Sequence, residues 1–162
     1  NDTINKNRKG RSMNIEERKQ QMQEILKDTV DYYRKDPEER RAVDINGDCL
    51  YTTEDGRHCA IGRYMREEFL DTEFKENNGV GVNGLSSNID YYLRHDVRGL
   101  DEDFWRDLQD MHDKIGYWLE WSQSPRSATN AVLSDVVGLT DRGKEQYVYF
   151  QDRISKGQYD NG

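Results

Sequence analysis

The chain has 162 residues, enough for one domain with a true core and too few for two independent ones. Apolar residues make up 33% and charged residues 35%, so the core must be small and weighted toward the ten Tyr, three Trp and four Phe. No apolar run approaches the roughly eighteen residues that span a bilayer, and a net charge of -8 argues against direct duplex nucleic-acid binding, which relies on Lys and Arg neutralising phosphates.

The charge is uneven. Lys6, Arg8, Lys9 and Arg11 make the first twelve residues basic, and Met13 follows them, so residues 1–12 read as a disordered extension or an expression remnant. Asn14 and Glu17 form a capping-box pattern that starts a first helix, with Met22, Ile25, Leu26, Val30 and Tyr33 on one stripe. Asp36-Pro37 ends it, because the residue before proline is pushed out of the α region. Glu38 to Arg41 reads as a charged connector, and Val43-Asp44-Ile45 as a short strand broken by Asn46-Gly47-Asp48.

Asp55-Gly56 then lies between Cys49-Leu50-Tyr51 and His58-Cys59-Ala60. Asp and Gly both accept the positive φ of a type I′ turn, so this stretch reads as a small β-hairpin. From Ala60 the period becomes helical, with Ile61, Tyr64, Met65 and Phe69 on one face. Residues 71–86 hold three Asn and three Gly without periodicity and read as a loop. Ser87 is placed to cap a short helix carrying Ile89, Tyr92 and Leu93. Asp101 caps the next, where Leu100 and Trp105 form a hydrophobic staple and Phe104, Leu108, His112 and Ile115 turn inward.

Tyr117 to Trp121 is the most aromatic stretch and reads as core. Ser124-Pro125 signals a helix start with Ala128, Ala131, Val132 and Val136 as its stripe and Gly138 as its close. Thr140 caps a last helix bearing Tyr147, Phe150 and Ile154, and residues 156–162 read as a flexible tail. The expected fold is α+β and helix-dominated: five or six helices around one small β-hairpin, in a single domain over 13–155.

Four constellations could carry chemistry. Cys59 at a predicted helix start, with His112 and Asp113 as base and orienting carboxylate, would suit a cysteine-dependent hydrolase or transferase. Cys49 and Cys59 with His58 or His112 could ligate zinc, although such sites usually show Cys pairs two to four residues apart. Arg57, His58, Arg63 and Arg66 surround the same helix start and could hold a phosphate, with Tyr51 or Tyr64 stacking on a base. Asp103, Asp107 and Asp110 line one stripe that could imitate a nucleic-acid backbone and block a host nucleic-acid-binding protein. The bland alternatives are a buried thiol, a hydrogen-bonded core histidine and solvated helix faces. Neither a catalytic residue, nor a metal, nor a cofactor is favoured.

Cys49-x-Tyr51, Gly56-Arg57-His58-Cys59-Ala60-Ile61-Gly62 and Leu108-Gln109-Asp110-Met111-His112-Asp113 with Trp118 resemble a family of small, uncharacterised phage and prophage proteins. Its members share Cys-x-Tyr, Gly-x-x-Cys-Ala-[Ile/Val]-Gly and Leu-Gln-x-x-His-Asp. The resemblance covers residues 49 to 121. Relatives carry Leu-Ile-Pro where this chain has Arg63-Tyr64-Met65-Arg66. The resemblance implies a phage-type accessory protein of the host cytoplasm that acts by binding. Its expected partner is a host defence factor or a nucleotide-like, phosphate-bearing signalling molecule, held in a groove between the Cys49–Cys59 hairpin, the 60–70 helix and the His112 helix, over which the 71–86 loop could close. It leaves room for a homo-oligomer.

Overall fold

The computed structural model describes residues 13–43, 50–53, 55–70, 88–121 and 133–160. The first helix, α1 (Ile15–Arg34), starts where the capping box predicts. The Glu17 amide donates to Asn14 Oδ1 at 2.8 Å and the Asn14 amide to Glu17 Oε1 at 3.3 Å. Its stripe of Met22, Ile25, Leu26, Val30 and Tyr33 is buried. Pro37 does end α1, yet it also opens a second helix, α2 (Pro37–Arg40), capped by Asp36. A ring that fixes φ and needs no amide partner suits a first helical position, so the expected connector is a single helical turn.

Two further one-turn helices follow, α3 (Glu67–Leu70) and α4 (Ile89–Tyr92). The cap of α4 is Asn88, whose side chain accepts from the Asp90 amide at 2.9 Å. Helix α5 (Glu102–Asp113) buries Phe104, Trp105, Leu108 and His112. A pair of short antiparallel strands, β1 (Leu119–Trp121) and β2 (Leu133–Val137), precedes α6 (Asp141–Ser155), whose cap is Thr140. Val136, expected in a helix, lies in β2; the start of that expected helix falls outside the described residues. Helix α6 packs on α1 and on the 3-10 turn Ile115–Tyr117, and α5 packs on α1. Among the largest fully buried side chains are Trp105, Trp118, Tyr33, Tyr51, Tyr92, Tyr159, Phe104 and Phe150, an aromatic core as the composition requires. Among the described residues no helix is long and apolar enough to cross a membrane.

The expected α+β architecture around a β-hairpin is corrected: the fold is predominantly helical, and residues 50–53 and 55–60 carry no strand. The Asp55-Gly56 turn forms, with Gly56 at φ 86° and its amide donating to Thr53 O at 3.1 Å. Pairing stops at one bridge, Thr52 with His58. The Thr53 hydroxyl accepts from the Arg57 amide at 2.9 Å, which tightens the turn. Immediately beyond, the chain coils into a 3-10 turn at Gly62–Tyr64 and leaves nothing to extend a ladder.

The continuous helix expected from Ala60 is broken into the 3-10 turn and the single turn of α3. After that 3-10 turn, Met65 bridges Leu93, Arg66 donates its amide to Tyr92 O at 2.9 Å, and Arg94 donates to Tyr64 O at 3.0 Å. Gly62 explains the interruption. A Cβ there would sit 2.4 Å from the Tyr51 carbonyl oxygen, so two backbone segments meet where a side chain has no room. Gly62→Ala is expected to lower stability by about 1–3 kcal/mol, the usual cost of forcing extra volume into a packed site. Urea unfolding would show it as a lower midpoint with an unchanged slope.

Residues 156–160 are not a frayed tail. Tyr159 is fully buried, between Phe104 and Phe150 at centroid distances of 5.9 and 5.8 Å.

Candidate functional site

The residues of the Leu-Gln-x-x-His-Asp motif converge because helical spacing puts Gln109, His112 and Asp113 within one turn of each other on α5. His112 is fully buried and both ring nitrogens are engaged. Nε2 accepts from the Ala42 amide at 3.2 Å, so the ring proton belongs on Nδ1, which donates to Asp113 Oδ1 at 2.7 Å. Gln109 Nε2 donates to the same Asp113 oxygen at 2.7 Å, and Gln109 Oε1 accepts from the Ile61 amide at 3.4 Å. Burial holds the His112 pKa below its ordinary value; Asp113 pulls the other way more weakly.

Arg41, also buried, closes this junction. Its Nε donates to His112 O at 2.7 Å and its Nη2 to Asp113 O at 2.6 Å, satisfying the last carbonyls of α5 with a cation where the helix dipole favours one. Tyr33 stands its ring edge-on to His112 at 4.8 Å and donates its hydroxyl to His58 O at 2.5 Å. One polar network therefore ties α1, α2, α5 and the 55–62 turn together.

This arrangement does not serve the catalytic reading. Cys59 is a free, fully buried thiol whose Sγ accepts from the Gly62 amide at 3.3 Å. The lone pair of His112 is aimed at Ala42, so no base is offered to that sulfur. The same geometry denies His112 to a metal. Cys49 lies outside the described residues, and among those described no group of three His, Cys, Asp or Glu is placed to hold an ion.

The arginines proposed to hold an anion are each matched with a carboxylate. Arg57 pairs with Asp55 at 3.0 Å and donates to Arg41 O at 3.0 Å. Arg63 pairs with Asp28 at 3.1 Å and lies 4.0 Å from the Tyr32 ring centroid. Arg66 pairs with Glu68 at 3.1 Å and donates to Tyr91 O at 2.7 Å. No extended helix begins among them, since Gly62–Tyr64 is one 3-10 turn. Tyr51 and Tyr64 are buried. The Tyr64 hydroxyl donates to Asp28 at 2.5 Å, and burial with that carboxylate raises its pKa.

The acidic stripe is partly spent as well. Asp107 accepts from Arg153 Nη1 at 2.7 Å and from the Tyr159 hydroxyl at 2.5 Å, and Asp103 pairs with Arg106 at 2.8 Å. Burial, reinforced by Asp107 and Asp113, raises the Asp110 pKa.

A surface that sequence reasoning missed remains. Tyr91 is 53% exposed although its ring is braced by Phe69 at 5.1 Å and Tyr92 at 5.2 Å. Arg66 lies 4.6 Å from the Phe69 centroid and 5.7 Å from that of Tyr91. The signal available was Tyr91-Tyr92 on one turn of helix, where adjacent positions cannot both face inward. The 71–86 loop, expected to close over a groove, lies outside the described residues.

Comparison of the chain with family models, with curated proteins and with solved structures returns no match.

Proposed function

We propose that this protein acts by binding another protein, as a phage-type accessory factor that antagonises a host component, and that Tyr91, Phe69 and Arg66 form its contact. The observation that carries this is a tyrosine more than half exposed yet held by two neighbouring rings and an arginine. Braced aromatics and arginines are the side chains that anchor protein interfaces, because they bury much area and lose little freedom. Sequestering a phosphate-bearing molecule would require Arg57, Arg63 and Arg66 to leave Asp55, Asp28 and Glu68. A hydrolase would need a base that His112 does not offer.

The test is affinity capture from bacterial lysate with immobilised wild type and Tyr91→Ala, followed by titration with whichever purified protein distinguishes them. Loss of a buried aromatic anchor, about 2 kcal/mol, is expected to weaken that complex roughly 30-fold. Equal retention of all proteins by both baits overturns the reading. So does a nucleotide-sized mass in the native mass spectrum of the wild type that disappears in Arg63→Ala.

A further inference from the structure

Helix α6 has two faces of different character. Gly143, Phe150 and Ile154 are buried on one, whereas Val148 and Tyr149 on the other are 63% and 56% exposed. Lys144, Glu145 and Asp152 surround them and complete the lining of a shallow open depression of about 600 Å³. A single exposed apolar residue is ordinary; two large adjacent ones in mid-helix form a small continuous apolar patch that a partner could cover.

We propose that this face joins two copies of the chain about a two-fold axis, with the α6 helices antiparallel and Val148 at the axis. A two-fold contact must be complementary to itself. Around Val148, each residue opposes the one equally far along in the other direction. Lys144, four before, thus meets Asp152, four after, in the second copy, and the pair occurs twice, one turn either side of the axis. Glu145 opposes Gln151, which carries no charge. A register centred on Tyr149 would instead set Arg142 against Lys156, like charges, and Glu145 against Arg153, whose guanidinium is already held by Asp107 at 2.7 Å, so the first alignment is favoured.

The local charge permits the approach. Around Val148 and Tyr149 the face carries Lys144 against Glu145 and Asp152, a net charge of -1 in a chain of net charge -8. Lys144 is held only loosely, 4.0 Å from an almost fully exposed Asp141, and is free to exchange partners. Asp152 is shared with Lys156 at 2.8 Å. Contact through one helix is small, so weak association, with a dissociation constant on the order of 10–100 µM, is expected.

Sedimentation equilibrium from roughly 5 µM to roughly 500 µM brackets that range. The weight-average mass of the wild type is expected to climb toward that of a dimer. Val148→Glu should weaken association at least about tenfold, a typical effect of truncating or charging an interface centre, and Lys144→Glu should weaken it by setting like charges opposite each other. Lys144→Glu combined with Asp152→Lys should restore it, because the exchanged pair attracts again. All the altered side chains are on the exposed face, so unchanged melting temperatures would exclude misfolding. Tyr91→Ala, on another surface, should leave association as it is. A monomer over the whole range overturns the proposal, as does a dimer indifferent to Val148→Glu or to the charge exchange.

Discussion

Tyr159→Ala is expected to cost about 3–5 kcal/mol of stability, in the range measured for removing a buried aromatic ring. For a chain of this size that lowers the melting temperature by roughly 10 °C. The ring is fully buried against Phe104 and Phe150, with Arg153 5.0 Å from its centroid. Its hydroxyl and Arg153 share Asp107. Tyr159→Phe separates the two contributions: it keeps the ring and is expected to cost only about 1–2 kcal/mol, because a hydrogen bond to a charged acceptor is lost. Thermal unfolding of both variants checks this. A cost below about 1 kcal/mol for the alanine variant would mean that residues 156–160 do not pack as described.

His112→Gln is the second large effect, about 2–4 kcal/mol, since the Ala42 amide and Asp113 lose their partners inside a buried network. It also changes the response to pH. Burial depresses the His112 pKa in the folded state, whereas the unfolded imidazole takes a proton near 6.5. Below that pH the unfolded chain binds a proton that the native chain refuses, so stability falls as the pH drops from 6.5 toward the folded pKa and is flat for this group above about 7. The slope contributed is at most about 1.4 kcal/mol per pH unit. Denaturant midpoints measured from pH 7.5 to 5 should decline more steeply for the wild type than for His112→Gln. Parallel profiles would place the proton elsewhere.

Much of the helical frame was legible because its signals are local. Asn14 with Glu17, Asp101 with Leu100 and Trp105, and Thr140 before α6 all act within one turn of helix, and each marks a real start. The 55–67 stretch was misread because long-range contacts decide it. Gly62 is fixed by the Tyr51 backbone and Met65 by Leu93, and neither partner can be inferred from the period of apolar residues. The same holds for the candidate site. The motif sets Gln109, His112 and Asp113 side by side, but His112 is claimed by Ala42, seventy residues earlier, and Arg63 by Asp28, while Arg57 and Arg66 are claimed locally by Asp55 and Glu68. Residue types announced chemistry that pairing with other side chains and backbone had already consumed.

Arg18 bears on how the chain could be rearranged. Its guanidinium donates to Met13 O at 2.8 Å through Nη1 and reaches Asp160 O at 3.5 Å through Nη2. The first and last parts of the described fold are thus joined by a single side chain. In a chain cut back to residues 13–160, a short linker could replace that bridge covalently and make the order of elements circular, with the new start placed at an exposed connection. The Arg18 corner would then be the natural tether for a fusion partner, and both the Tyr91 surface and the outer face of α6 could be presented from it without cutting any helix.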